Sequence, residues 1–87
     1  MYMSNVVMYS STPCPYCSQA KALLSAREIE FEEINLSMDP SGRAALLEKT
    51  GMMTFPQILV DDSPIGGFRE LMAADQSGQL AELLGGE

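Results

Sequence analysis

Apolar and polar positions along the chain change period several times, and each change marks an element. Asn5-Val6-Val7-Met8-Tyr9 is apolar after its first residue and carries β-branched side chains. A short run without alternation predicts a buried central strand. The small polar cluster Ser10-Ser11-Thr12-Pro13 closes it. The period then becomes helical: Cys17, Ala20, Leu23 and Leu24 recur one turn apart, which predicts a first helix over Pro15–Ala26. Pro15 suits its opening turn, where a missing N–H costs no intrahelical bond.

Ile29 to Leu36 alternates apolar and polar residues with one slip at Glu32-Glu33, the signature of a half-exposed strand near a sheet edge. Ser37-Met38-Asp39-Pro40 breaks it, and Ala44, Leu46 and Leu47 supply a second helix that Thr50-Gly51 ends, glycine being the natural left-handed stop. Gln57-Ile58-Leu59-Val60 predicts a third strand, which Asp61-Asp62-Ser63-Pro64 turns into a short partner at Ile65-Gly66. A third helix is expected from Phe68 to Gln76, with a last turn from Gln79 to Leu84 and a fraying tail at Gly85-Gly86-Glu87. The order β-α-β-α-β-β-α implies an α/β fold: a mixed four-stranded sheet, with a parallel pair and a terminal antiparallel hairpin, flanked by helices.

Composition narrows what such a fold does. Eighty-seven residues suffice for one core, so residues 1–87 are read as one domain. No segment is apolar over the roughly 18 residues of a membrane span, and Met1-Tyr2-Met3-Ser4-Asn5 lacks the basic and apolar regions of a secretory leader. A cytoplasmic protein with no membrane partner is expected. Twelve acids against five scattered bases, net −7, would repel a phosphate backbone, so no nucleic-acid partner is expected; the acid excess itself is read as a solubility feature. The absence of histidine excludes imidazole acid–base catalysis and histidine metal ligation.

The candidate chemistry lies in Thr12-Pro13-Cys14-Pro15-Tyr16-Cys17, which holds the only two cysteines, three apart at the mouth of the first helix. In a reducing compartment such a pair points to catalysis or metal binding rather than to a permanent staple. A zinc site needs further cysteines or histidines, which the chain lacks, and no metal is expected. A structural disulfide across so short a loop would constrain little of the unfolded chain. Burial of two inert thiols does not explain Pro15 between them. Catalytic use remains, with unequal roles. Cys14 sits among unpaired helix N–H groups at the positive end of the dipole, which favours its thiolate, and Cys17, one turn inside on the apolar side, is more sheltered. Attack then begins at Cys14, and Cys17 resolves the mixed disulfide. A second feature is Thr54-Phe55-Pro56, where a cis bend beside the thiols would offer the main chain of Phe55 to an extended thiol peptide with little regard for its side chains.

Four pieces together carry a family resemblance: Cys14-Pro15-Tyr16-Cys17, Ala20-Lys21-Ala22-Leu23-Leu24, Thr54-Phe55-Pro56-Gln57-Ile58 and Ile65-Gly66-Gly67. Over nearly its whole length the chain resembles a dithiol glutaredoxin. The resemblance implies a thioredoxin-like fold, a cis bond before Pro56, and reduction of protein disulfides or glutathione mixed disulfides. Glutathione is implied as reducing co-substrate, with no permanently bound cofactor. It also implies that Cys14 meets the glutathione sulfur and Tyr16 walls the groove, followed by Thr54, Phe55 and Pro56. Gly67, Phe68 and Arg69 would take the γ-glutamyl carboxylate at the N-terminus of the third helix. Disulfide-bonded or glutathionylated proteins would be its partners, and a monomer its working state.

The chain departs from the family's pattern where glutathione would be gripped. Ser11 replaces a common lysine three positions before the nucleophile. Met52-Met53 stands where a basic or glutamine residue often precedes the Thr-x-Pro segment, and Arg69 replaces a common aspartate or serine. Weaker glutathione binding is expected of an acidic chain without those cationic contacts, but not lost function, because exposed ion pairs are worth about 1 kcal/mol or less each. Two other functions known among similar proteins compete: an electron donor to ribonucleotide reductase, itself reduced by thioredoxin reductase, and a module bridging an iron–sulfur cluster through Cys14 and glutathione. Pro15 argues against the second by stiffening the loop beside the ligand sulfur. Elsewhere, Lys21 is read as a solvated helix residue, Tyr9 and Phe31 as core or core-edge aromatics, and Met52 and Met53 as gap fillers or loop cover. Phe68 fits either a hydrophobic cap or a groove wall.

Overall fold

In the computed structural model, which describes residues 5–84, β1 spans Val6–Ser10, α1 Pro15–Ala26, β2 Glu32–Asn35 and α2 Pro40–Thr50. They are followed by β3 at Gln57–Val60, β4 at Ser63–Gly66, α3 at Phe68–Ser77 and α4 at Gln79–Leu83. The strands form one mixed sheet in the order β2-β1-β3-β4. β1 runs parallel to β2 and antiparallel to β3, which pairs antiparallel with β4. This is the expected order of elements, with the last turn set off as a short helix after Gly78. The readings made for residues 1–4 and for the tail 85–87 lie outside the described residues. Among those residues no helix is long and apolar enough to cross a membrane.

The main core lies between the sheet and the helices α1 and α3. Val6 and Met8 of β1 and Ile58 and Val60 of β3 point into it. They meet Cys17, Ala20 and Leu24 of α1 and Leu71 and Ala74 of α3, while Leu80 and Leu84 close it from the C-terminal end. Period-2 alternation sends Val7, Tyr9, Gln57 and Leu59 to the other face, where the ladder pairs Val7 with Leu59 and Tyr9 with Gln57. Here the structure corrects two expectations. β1 is central, yet Val7 and Tyr9 are only half buried. In α2 only Leu46 is buried; Ala44 and Leu47 are exposed. The reason is common to both. A helix of small and charged residues offers one leucine to this face, so Leu36, Leu46 and Leu59 are buried outside the main cluster and the rest stays partly open.

The ends of the elements follow their local chemistry. The Asp39 carboxylate accepts the Gly42 N–H at 2.9 Å and caps α2, and Gly51, at φ 76°, stops it as expected. The β3–β4 turn is tighter than expected. Asp61 and Asp62 alone make it, both at positive φ, and the strand resumes at Ser63 with Pro64 on the free edge of the sheet. Asp61 is tied back to β1 through hydrogen bonds to Asn5, and Lys49 pairs with Asp62.

Candidate active site

Strand register gathers the site. Tyr9 pairs with Gln57 and Ile58 with Gly66, so the C-terminal ends of β1 and β4 and the start of β3 share one edge of the sheet. The segments leaving those ends, 11–17, 52–56 and 67–69, converge there. Contact between them is direct. A Cβ placed on Gly67 would lie 3.3 Å from the Pro56 carbonyl oxygen, so α3 approaches the Pro56 loop as closely as a glycine allows. The rings of Tyr16 and Phe68 stack nearly parallel, with centroids 6.0 Å apart, joining the first segment to the third. Asn35 Nδ2 donates to Thr12 Oγ1 at 2.9 Å, tethering the first segment to the end of β2.

Cys14 and Cys17 form a disulfide, with Cα atoms 5.2 Å apart. Cys14 is the N-cap of α1, and its Sγ accepts the N–H of Cys17 at 3.1 Å, a position usually filled by a serine or aspartate oxygen. The two sulfurs have unequal surroundings. Cys14 is half buried at the rim of the main core, whereas Cys17 is 3% exposed among Ala20 and Leu24.

One charged pair lies beside this end. Ser10, buried where β1 meets the site loop, donates its hydroxyl to Glu33 Oε2 at 2.7 Å, and Lys21 of α1 lies 3.3 Å from the same carboxylate. The Ser10 hydrogen bond first, and Lys21 after it, hold the Glu33 carboxyl below its usual range, against a partial desolvation that works the other way. Further from the site, Arg27 at the end of α1 grips Asp75 of α3 with two hydrogen bonds, at 2.7 and 2.9 Å. That bond lowers the Asp75 carboxyl and raises the Arg27 guanidinium.

Each residue predicted for the site from sequence belongs to one of the three convergent segments. Phe68 stacks on Tyr16 and packs against the main core. The Phe55–Pro56 bond is cis, as the resemblance implied; Thr12–Pro13 is cis as well, which was not anticipated. Neither the N–H nor the C=O of Phe55 has a hydrogen-bond partner among the described residues. The expectation for the α3 N-terminus is narrowed. Glu70 reaches back and accepts the Gly67 N–H at 2.9 Å, so the donors open to an anion are those of Phe68, Arg69 and Glu70, which the geometry of a first helical turn leaves without intrahelical acceptors. Sequence reasoning passed over Glu70, although an acid three residues after a helix start is a recognised signal for such a bond. It also passed over Gln57, the lone polar residue of an otherwise apolar strand.

Residues 6–65 match the glutaredoxin family model. The chain belongs to the glutaredoxin family. It is 40% identical over 82 residues to glutaredoxin 3 of Escherichia coli (strain K12), a match covering 94% of this chain and 99% of that protein. Among solved structures, it is similar to the solution structure of glutaredoxin from Brucella melitensis, with a TM-score of 0.84 and 42% identity, covering 97% of this chain and 91% of that one. It is also similar to a buckwheat glutaredoxin–glutathione complex, with a TM-score of 0.84 and 32% identity, covering 93% of this chain and 76% of that one. The fold is therefore thioredoxin-like. As a glutaredoxin with a redox-active cysteine pair, the protein is a thiol–disulfide oxidoreductase, here with that pair oxidised. The family match stops at Ile65, so the contribution of Gly67, Phe68 and Arg69 is argued from the geometry above.

Proposed function

We propose that this glutaredoxin uses glutathione to reduce protein disulfides and glutathione mixed disulfides, with Cys14 as nucleophile and Cys17 as resolving thiol. The observation that carries the assignment is the N-cap position of Cys14, whose sulfur already accepts a helix N–H and reaches the surface while Cys17 stays buried. In the reduced protein the same N–H and the helix dipole favour negative charge on Cys14. The Cys14 thiolate attacks one sulfur of the substrate disulfide, forming a mixed disulfide and expelling the other sulfur as a thiolate that takes up a proton. Cys17 then loses its proton and attacks the Cys14 sulfur, releasing the second substrate thiolate and closing the Cys14–Cys17 disulfide. One glutathione thiolate reopens it by bonding to Cys14, and a second removes the first as oxidised glutathione. Two electrons pass from two glutathiones to the substrate.

The unbonded main-chain N–H and C=O of Phe55 support strand-like pairing with the cysteinyl part of glutathione. Tyr16 and Phe68 supply an aromatic wall, Thr54 and Pro56 frame the pairing edge, and the first turn of α3 beside Gly67 meets the γ-glutamyl carboxylate with Arg69 at its rim. The buckwheat relative, solved with glutathione, supports glutathione as the ligand. The same reading takes residues 1–87 as one glutaredoxin domain, working as a monomer in the cytoplasm on disulfide-bonded or glutathionylated proteins.

The test is turnover of a glutathionylated peptide with glutathione and glutathione reductase. Cys17→Ser retains turnover, because glutathione resolves the mixed disulfide, and Cys14→Ser falls to the uncatalysed rate. Wild-type activity in Cys14→Ser would remove the nucleophile assignment. Reduction of the oxidised protein by thioredoxin reductase but not by glutathione would favour the electron-donor function, and a coloured dimer after anaerobic iron–sulfide reconstitution would favour the cluster-bridging one.

A further inference from the structure

Gln57 is 1% exposed at the start of β3, on the face opposite the main core, with its backbone held in register opposite Tyr9. Its side-chain Nε2 donates two hydrogen bonds into the preceding loop, to the Met52 carbonyl at 3.0 Å and the Thr54 carbonyl at 2.9 Å. Both acceptors are carbonyls, which fixes the orientation of the amide. Its Oε1 is buried without a partner among the described residues. An unpaired buried acceptor is unfavourable, and an apolar side chain of equal length would avoid it. What only the amide supplies is the pair of donors, and both are spent on the loop that carries Phe55.

We infer that Gln57 is a positioning residue for substrate: its two hydrogen bonds hold Thr54, and with it the open main-chain N–H and C=O of Phe55, in the extended geometry a cysteinyl peptide pairs with. The inference rests on the proposed use of Phe55 as the pairing edge. Its physical content is preorganisation. A loop anchored from beneath at residues 52 and 54 does not have to be ordered when the substrate arrives, so that cost is absent from binding. Gln57 touches neither sulfur, and its loss leaves the chemistry of Cys14 unchanged.

Gln57→Met keeps length and volume and removes both donors; Gln57→Glu keeps shape and turns a carboxylate toward the two carbonyls. With a glutathionylated peptide, each raises KM about tenfold, the scale of one to two lost hydrogen bonds, with kcat within about twofold of wild type. The rate of Cys14 alkylation by iodoacetamide in the reduced variants is unchanged. A purely structural amide would lower the melting temperature and leave KM alone, and an unchanged KM in either folded variant overturns the inference. Exchange of the Gln57 side-chain NH2 protons in the wild type as fast as in a free glutamine overturns it without any variant. A wild type inactive on the glutathionylated peptide would strike the proposed function instead. Loop positioning is then read from backbone order parameters of Thr54 and Phe55, which fall from about 0.85 to below about 0.6 in Gln57→Met if Gln57 holds the loop and stay unchanged if it does not.

Discussion

Tyr16, two residues past the capping cysteine, stacks on Phe68 at the start of α3, with ring centroids 6.0 Å apart and planes 24° from parallel. The pair links two segments that are far apart in sequence and close at the site. Tyr16 remains 59% exposed, so one side of the stack faces any molecule approaching Cys14.

Such a pair adds about 0.5–1.5 kcal/mol beyond simple burial. A double-mutant cycle on Tyr16→Ala and Phe68→Ala, read by urea unfolding, is expected to give a coupling energy in that range. Strict additivity would mean that the rings are neighbours without interaction.

Gly66 and Gly67 should respond differently to the same change. Gly66 lies at φ +131°, a backbone region that L side chains rarely adopt, so Gly66→Ala lowers stability by about 1 kcal/mol or more. Gly67 carries no such strain, but an added methyl presses on the Pro56 carbonyl. Gly67→Ala is expected to raise KM for a glutathionylated peptide while changing the unfolding midpoint less than Gly66→Ala does.

Acid stability follows from two depressed carboxyls. Glu33 is lowered mainly by Ser10, and Asp75 mainly by Arg27. Because each folded-state value lies below the unfolded one, about 4.3 for glutamate and 3.9 for aspartate, the unfolded chain binds protons first as pH falls. Both contributions are complete above about pH 5 and are lost as pH drops through the folded-state values. Urea midpoints should stay flat from pH 7 to about 5 and decline below that, and Glu33→Gln and Asp75→Asn should each flatten the decline. Variants that track the wild type at every pH would show that these bonds add nothing.

Arg69 is exposed beside the open N–H groups of α3. Arg69→Ala should raise KM for glutathione no more than about fivefold, the limit for an exposed ion pair, and the difference from wild type should shrink in high salt. A loss of a hundredfold would place Arg69 within the reaction itself.

Much of this protein was legible in its residues because the signals were local. The helix Pro15–Ala26 is legible, since Pro15 and the spacing of Cys17, Ala20 and Leu24 act within a few helical turns. The edge position of β2 was legible from its alternation, and Gly51 as a stop from its lack of a Cβ. Local signals also suffice to place one cysteine at a helix mouth and the other a turn inside.

Other features required the tertiary structure, because they depend on which strand lies beside which. The pattern in α2 gave no sign that Leu46 would be buried and Leu47 left out, since that depends on how the helix meets the sheet. Gln57 is one more residue of a predicted strand in the sequence, and only the loop from Met52 to Thr54, folded back over it, shows what its amide holds. Sequence by itself determined the thiol chemistry of Thr12 to Cys17 and the elements around it. Strand register, a sum of many weak packing preferences, decided that Phe55, Gly67 and Phe68 stand around that disulfide, and so what it can meet.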